Sequence, residues 1–272
     1  MKVIHSVLFA LSLAGAVLLV AGCQKSVADP GTTYVPAGLK LVWNDEFDVD
    51  GAPNPEKWDY SIGGNGWGNG ELQNYTNKRP NSSISRGNLA ITAINNGGMW
   101  TSARLKTLYK ADWTYGYIEI RAKLPKGVGT WPAIWMMARG EVYGPWPRSG
   151  EIDIMEHVGF DQDNIHTSAH TLSYYHKINT QKTAAAMVKG VSDGFHLYAI
   201  DWTADSIQWY VDGQPFFKFD NEHNTFAEWP FDIPFYLIMN VAIGGSWGGQ
   251  KGVDPKMKSA TMLIDYVRVY QK

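Results

Sequence analysis

Three carboxylates stand within the six residues Glu151–Glu156 of the run Gly150-Glu151-Ile152-Asp153-Ile154-Met155-Glu156-His157, separated by apolar side chains. On an extended chain alternate side chains share a face, so Glu151 and Asp153 point one way and Ile152 and Ile154 the other. Strict alternation would bury Glu156 among the isoleucines, and an unpaired buried carboxylate is costly or takes up a proton. A β-bulge at Ile154-Met155 adds one residue, resets the alternation and returns Glu156 to the acidic face. Three like charges there repel, so their pKa values must separate. A strand gains no stability from such a cluster, but it suits a pair of carboxyls with one ionised and one protonated. The competing readings are a solvated acidic strand face and a metal site, although three-acid calcium sites usually sit on loops rich in Asp, Asn and Gly.

The neighbouring sequence favours a saccharide. In Gly129-Thr130-Trp131-Pro132-Ala133-Ile134-Trp135-Met136-Met137 the two tryptophans have the same parity on an extended chain. The chain holds 12 Trp and is 13% aromatic. Large rings fill sandwich cores, and they also stack on the apolar faces of sugars. Charge excludes other partners. Lys plus Arg is 24 against 26 Asp plus Glu, a net charge of −2. Nucleic acid calls for a cationic excess, and a polybasic membrane patch does too. The single cysteine allows no internal disulfide and no cysteine zinc site. His157, His166, His170, His176 and His196 show no metal-ligand spacing. His157 should face the core beyond the bulge, and His170 is open between core and cleft. There is no nucleophile elbow, phosphate loop or dinucleotide fingerprint. Gly63-Gly64-Asn65-Gly66 and Gly244-Gly245-Ser246-Trp247-Gly248-Gly249 open no helix and read as loops at a cleft rim.

The elements that must position these groups are strands. Tyr117 to Leu124 alternates, with Ile118, Ile120, Ala122 and Leu124 on one face. Further strands are expected at Gly87–Ala93, His196–Trp202, Ile207–Val211, Phe216–Phe219, Phe235–Ile243 and Met262–Tyr270. Thr203-Ala204-Asp205 and Asp212-Gly213 supply hairpin turns. Many short strands without a long amphipathic helix mean an all-β sandwich or barrel, here as one domain.

The chain starts with Lys2 and a mostly apolar run from Val3 to Gly22. This reads as a secretory signal covering residues 1–22. Val20-Ala21-Gly22-Cys23 resembles a bacterial lipobox, which implies cleavage before Cys23 and lipidation of its thiol. Residues 23–38, with Pro30, Gly31 and Pro36, read as a tether to a domain at 39–272. The expected location is the bacterial cell envelope, lipid-anchored, at the outer membrane or cell surface.

The run Glu151-Ile152-Asp153-Ile154-Met155-Glu156 resembles the bulged E-x-D-x-x-E signature of glycoside hydrolase family 16, in its laminarinase branch. Trp131-Pro132-Ala133-Ile134-Trp135-Met136 and Trp146-Pro147-Arg148-Ser149-Gly150 match in the same way. So do Trp43-Asn44-Asp45-Glu46-Phe47, Trp67-Gly68-Asn69-Gly70-Glu71-Leu72-Gln73, Ser102-Ala103-Arg104 and Ile264-Asp265-Tyr266-Val267-Arg268-Val269. The resemblance implies a β-jelly-roll sandwich of two antiparallel sheets with a concave substrate cleft. It implies retaining endo-hydrolysis of β-1,3-glucan or mixed β-1,3/1,4-glucan, with no catalytic cofactor. Glu151 would be the nucleophile, Glu156 the acid/base and Asp153 the helper between them. Trp131, Trp135 and Trp247 would be sugar platforms, and Asn69 and Arg104 polar contacts to sugar hydroxyls. A structural calcium would be held by the carbonyls of Glu46 and Gly87 and the side chain of Asp265. Retention needs carboxyls about 5–5.5 Å apart, whereas four effective strand steps span roughly 13 Å, so the two glutamates must lean together. The alternatives are a non-catalytic glycan-binding sandwich and a family member acting on agar or carrageenan. The latter calls for basic residues at the cleft, where Arg139 and Arg148 stand alone. The polysaccharide is the expected partner, beside the membrane through the lipid anchor, and the chain is expected to be a monomer.

Overall fold

A computed structural model describes residues 35–272. The proposed signal, Cys23 and most of the tether lie outside the described residues. The strands are β1 (Lys40–Asp45), β2 (Asp59–Tyr60), β3 (Gln73–Tyr75), β4 (Ser82–Ser85), β5 (Asn88–Asn96), β6 (Met99–Ser102), β7 (Arg104–Lys106), β8 (Gly116–Lys123) and β9 (Thr130–Ala138). They continue as β10 (Glu151–Glu156), β11 (Asn164–His170), β12 (Lys182–Met187), β13 (His196–Trp202), β14 (Ser206–Val211), β15 (Gln214–Asp220), β16 (Phe235–Ile243) and β17 (Ser259–Gln271). No helix among the described residues is long and apolar enough to cross a membrane.

Two sheets form the sandwich. A ten-stranded sheet runs β15-β14-β13-β8-β17-β5-β6-β3, with β1 on β17 and β4 on β5. A seven-stranded sheet runs β12-β11-β10-β9-β16-β7-β2. The all-β expectation holds, and the pairing is antiparallel throughout except between β3 and β6, which are parallel. The expected hairpin turns are present. Asp212 and Gly213 have φ of 50° and 73°, the left-handed pair that a tight β14–β15 turn requires.

The core lies between the sheets. Ile118, Ile120 and Ala122 of β8 face Ile134 and Met136 of β9, Ile152 of β10 and Leu237 and Met239 of β16 in one buried cluster. The alternation read in β8 therefore holds, and on its other face Tyr117 and Glu119 are buried while Arg121 and Lys123 are half-buried. Tyr117 packs there with Ala199 and Tyr210 under Val35, Leu39 and Tyr270. This cover closes part of the outer face of the ten-stranded sheet. The outer face of the seven-stranded sheet is left to carry the acids.

Candidate active site

The bulge falls where the alternation demanded it. Against β9, Asp153 pairs with Trp135 and Met155 with Ile134, so Ile154 is the extra residue. Against β11, the register slips between Asp153 and Glu156. Ile152, Ile154 and Met155 are all buried in the core, and Glu151 and Glu156 are half-buried on the opposite face. The Asp153 carbonyl accepts a hydrogen bond from Trp209 Nε1 at 2.9 Å, across the core from the ten-stranded sheet, and another from the Thr167 hydroxyl. Gly150 sets the entry to the strand. Its φ is 85°, and a Cβ there would lie 2.9–3.1 Å from Pro230, Phe231 and Phe235.

A groove of about 300 Å³ crosses this face. Glu151, Asp153 and Glu156 line it, together with Trp131, Ala133, Trp135 and Met137, the same-parity residues of β9. Asn69 and Arg104 line it too, as expected. Trp247 is half-buried and stands edge-on to Trp131, with ring centroids 5.5 Å apart, and His166 lies against its far side at 4.9 Å. Unlike Trp131 and Trp135, it does not line the groove itself and touches it only through its contact with Trp131.

Two of the three acids are held by indole donors. Trp146 Nε1 donates to Glu151 Oε2 at 2.8 Å, and Trp131 Nε1 to Glu156 Oε1 at 2.9 Å. His170, left open by the sequence, is buried at the cluster, with Nε2 3.3 Å from Asp153 Oδ2 and 4.0 Å from Glu151 Oε1. Burial pushes Glu151 up to about 8, helped by the Asp153 charge and opposed by His170, Trp146 and Arg104. Asp153 is pushed up to about 7 by burial, with a hydrogen bond to Glu151 pulling the other way. Glu156 is held well above the ordinary carboxylate range by burial first, then by the charges of Asp153 and Glu151. The cluster therefore gives up its protons in steps and can hold one carboxyl protonated beside an ionised neighbour. Glu151, Asp153 and His170 each offer a ligand atom within 4.8 Å of the others, a spacing that a cation could also use.

Beneath the groove runs a directional relay. Trp135 Nε1 donates to Asn240 Oδ1 at 2.8 Å, and Asn240 Nδ2 donates to the Tyr75 hydroxyl at 3.0 Å. Tyr75 donates to Glu71 at 3.3 Å, and Asn69 and Gln73 donate to the same carboxylate at 3.2 and 2.7 Å. The Arg104 guanidinium lies between two indoles, 4.8 Å from the Trp67 ring centre and 4.6 Å from that of Trp135. Sequence reasoning did not single out Trp67, Glu71, Trp146 or Asn240 as site residues. Trp67, Glu71 and Trp146 sit inside the quoted motifs, and Asn240 has only its parity with Ala242 on β16 as a signal.

The proposed calcium residues lie on the other sheet. Asp265 is the bulged residue of β17 against β8, and Arg121 contacts its Oδ2 at 2.9 Å. The Glu46 side chain is held by Arg268 through two contacts of 2.9 Å. His157 is fully buried, as expected, and burial lowers it to about 4.

Residues 65–268 match the family described as Glycosyl hydrolases family 16. A β-glucanase of Rhodothermus marinus is 53% identical over 243 residues, covering 85% of each chain. The X-ray structure of the laminarinase from Rhodothermus marinus is similar, with a TM-score of 0.83 and 50% identity over 86% of this chain and 97% of that one. A laminarinase from Flavobacterium sp. UMI-01 gives a TM-score of 0.80 at 42% identity, over 85% and 100%. A two-sheet sandwich with a bulged carboxylate strand across an open groove defines a class of glycan-cleaving enzymes. This chain belongs to glycosyl hydrolase family 16.

The acids also carry a cost in stability. A folded-state pKa of about 8 at Glu151, against an ordinary 4.5, means that the folded chain keeps a proton the unfolded chain releases. Stability therefore falls as pH rises from about 4.5 to about 8. Glu151→Gln removes this loss, so its melting temperature should match the unaltered protein at pH 4. At pH 8 it should be about 4–8 °C higher, which corresponds to a stability gain on the order of 2 kcal/mol. The same difference at both pH values would contradict the assignment.

Proposed function

We propose that this enzyme hydrolyses internal β-1,3 bonds of glucans, mixed β-1,3/1,4 chains included, with retention at the anomeric carbon. The observation that carries the reading is the convergence of Glu151, Asp153 and Glu156 on one groove with Trp131, Trp135, Asn69 and Arg104. Glu151 attacks the anomeric carbon while Glu156 gives its proton to the departing glycosidic oxygen. The products of this step are a glycosyl ester on Glu151 and a free sugar hydroxyl. Glu156, now ionised, takes a proton from water, and the water oxygen replaces the ester oxygen on the same carbon. The donor geometry supports these roles. Trp146 occupies Oε2 of Glu151 and leaves Oε1 to attack, and Trp131 occupies Oε1 of Glu156 and leaves Oε2 for the proton. Asp153 shares a proton with Glu151, and its charge, which raises the pKa of Glu156, helps keep that acid protonated before the first step. Trp131 and Trp135 present their faces to sugar rings, with Trp247 bracing Trp131.

Glu151→Gln should abolish hydrolysis, by at least about a thousandfold, while glucan binding remains. Glu156→Ala should spare activated aryl glycosides relative to glucan, and azide should restore their turnover with retained configuration. An inverted product, or near-normal activity of Glu151→Gln, would overturn the mechanism.

The same proposal extends to the chain's setting. Residues 1–22 direct export, Cys23 carries the lipid, and the monomer works at the cell envelope. The unaltered protein should partition with membranes, and Cys23→Ser should release it or leave it unprocessed. A wild-type protein free in the periplasm would refute the anchor.

A structural calcium at the carbonyls of Glu46 and Gly87 and the carboxylate of Asp265 is supported by register. Asp45 pairs with Val267, and Leu89 with Ile264, which draws both loops toward the bulged Asp265. The contact of Arg121 with the Asp265 carboxylate competes for the same ligand. Chelation should lower the melting temperature by several degrees, and calcium should restore it. An unchanged melt with no metal in the purified protein would remove the site.

A further inference from the structure

A second groove, of about 390 Å³, lies away from the acids and shares no lining residue with the catalytic one. Tyr115, Tyr143, Phe226 and Trp229 supply its aromatic surfaces, and Asn221 and Asn224 its amides. These surfaces are fixed in place. Tyr143 stacks on Phe226 at 4.9 Å with the rings within 4° of parallel, and its hydroxyl donates to Asp232 at 2.9 Å. Tyr115 stands edge-on to Trp202 at 5.6 Å. Asn221 donates to the Ala204 carbonyl at 2.9 Å and accepts from the His223 amide at 2.7 Å. Trp229 is only 6% exposed and packs edge-on against Phe219 and Phe231, so its ring is held by the core.

The lining selects a ligand class. Asp205 and Asp232 line the groove and no Lys or Arg does. Its histidine, His223, lies 3.6 Å from Asp205, and the nearby Arg148 is bonded to the Tyr143 carbonyl, so the lining favours a neutral ligand over sulfate, phosphate or uronate groups. A metal ion needs converging ligands. Among the described residues, the only group of three close His, Cys, Asp or Glu side chains is Glu151, Asp153 and His170, in the other groove. Aromatic faces beside amide and hydroxyl groups match a pyranose, which has an apolar face and a rim of hydroxyls.

The two grooves are mechanically joined. Tyr143 and Trp146 lie on the one loop between β9 and β10, and Trp146 donates to Glu151 in the catalytic groove. The loop before β16 is tied to the segment that brings His176 and Lys177 to the catalytic rim. Ser173 there bonds the Ala227 carbonyl at 2.8 Å and the Glu228 carboxylate at 2.7 Å.

We infer that the groove of Tyr115, Tyr143, Trp229 and Asn224 is a second binding site for neutral glycan. It would hold a remote stretch of the polymer whose cleavage is proposed above. The inference rests on that substrate reading for the identity of the sugar. A chain held at both grooves raises the effective concentration of cleavable bonds at the acids, which matters for polymers and not for short oligosaccharides.

Calorimetry on the Glu151→Gln protein with a β-1,3-glucan hexasaccharide should show two sites per chain. Adding Asn224→Arg, which fills the groove from its exposed edge, or Tyr143→Ala should leave one. In the active enzyme the same changes should leave turnover of a β-1,3-glucan tetrasaccharide unaltered. They should raise KM on insoluble β-1,3-glucan roughly three- to tenfold. Tyr143→Phe keeps the ring and should behave as the unaltered chain. A single site in Glu151→Gln, or an unchanged polymer KM in both groove variants with normal melting curves, overturns the inference. Failure of the substrate reading shows differently, because the unaltered enzyme would then leave the tetrasaccharide intact.

Discussion

A bulged strand needs partners for the backbone that its ladder no longer serves, and in β10 the carbonyl of Asp153 meets this need with side chains. Trp209 reaches it from the ten-stranded sheet and Thr167 from β11. An unsatisfied carbonyl in the core would cost free energy comparable to a lost hydrogen bond, so this indole holds the bulge in place as well as filling volume. The consequence is geometric. With Ile154 inserted, Met155 goes into the core and Glu156 comes out beside Glu151 and Asp153. The backing sheet thus governs the spacing of acids that sit on the far side of the other sheet.

The tryptophans of the groove serve the fold and the site at once. Trp131, Trp135 and Trp146 each direct the indole N–H to a carboxylate or amide of the protein and line the groove as well. This fixes ring orientation before any sugar arrives, which lowers the entropy lost on binding. The relay from Trp135 through Asn240 and Tyr75 to Glu71 extends the same rigidity to Asn69 on the opposite rim. The glycine-rich loops close the arrangement, because Ser246 bonds the Asn69 carbonyl at 2.7 Å and so couples the loop of Trp247 to that of Trp67.

What could be read from the sequence was local. Parity placed Trp131 with Trp135, and the conflict between Ile154 and Glu156 placed the bulge, since both arguments concern neighbours on one strand. Strands β13, β14 and β16 stood out because their apolar runs end at clear turn residues. The unrecognised parts depend on pairing between distant segments. Arg104 meets Asn240 only through the β7–β16 register, and Tyr75 meets Asn240 across 165 residues of chain. Short strands such as β2, β3 and β7 carry too few residues for a periodicity to appear. Trp146 lies in a loop, where spacing from Glu151 says nothing about direction, and His170 needed the β10–β11 pairing with Glu151 to be placed.

Three acids raised by burial are a liability in a protein of marginal stability, and the architecture shows how the strain is contained. Glu151 and Glu156 each face groups that favour the ionised form: the Trp146 donor and the Arg104 charge for Glu151 and the Trp131 donor for Glu156, while His170 lies 3.3 Å from Asp153. None of these is a full counter-charge in contact with the acid it serves. A lysine or arginine paired directly with Glu156 would drive its pKa down and remove the proton that the leaving oxygen needs. Arg104 acts on Glu151 as a charge while its guanidinium is held between Trp67 and Trp135. The groove therefore uses indole donors where a purely structural site would use salt bridges. The stability given up there is recovered in the core, where Ile118, Ile120 and Ala122 of β8 and one face of each strand around β10 are buried.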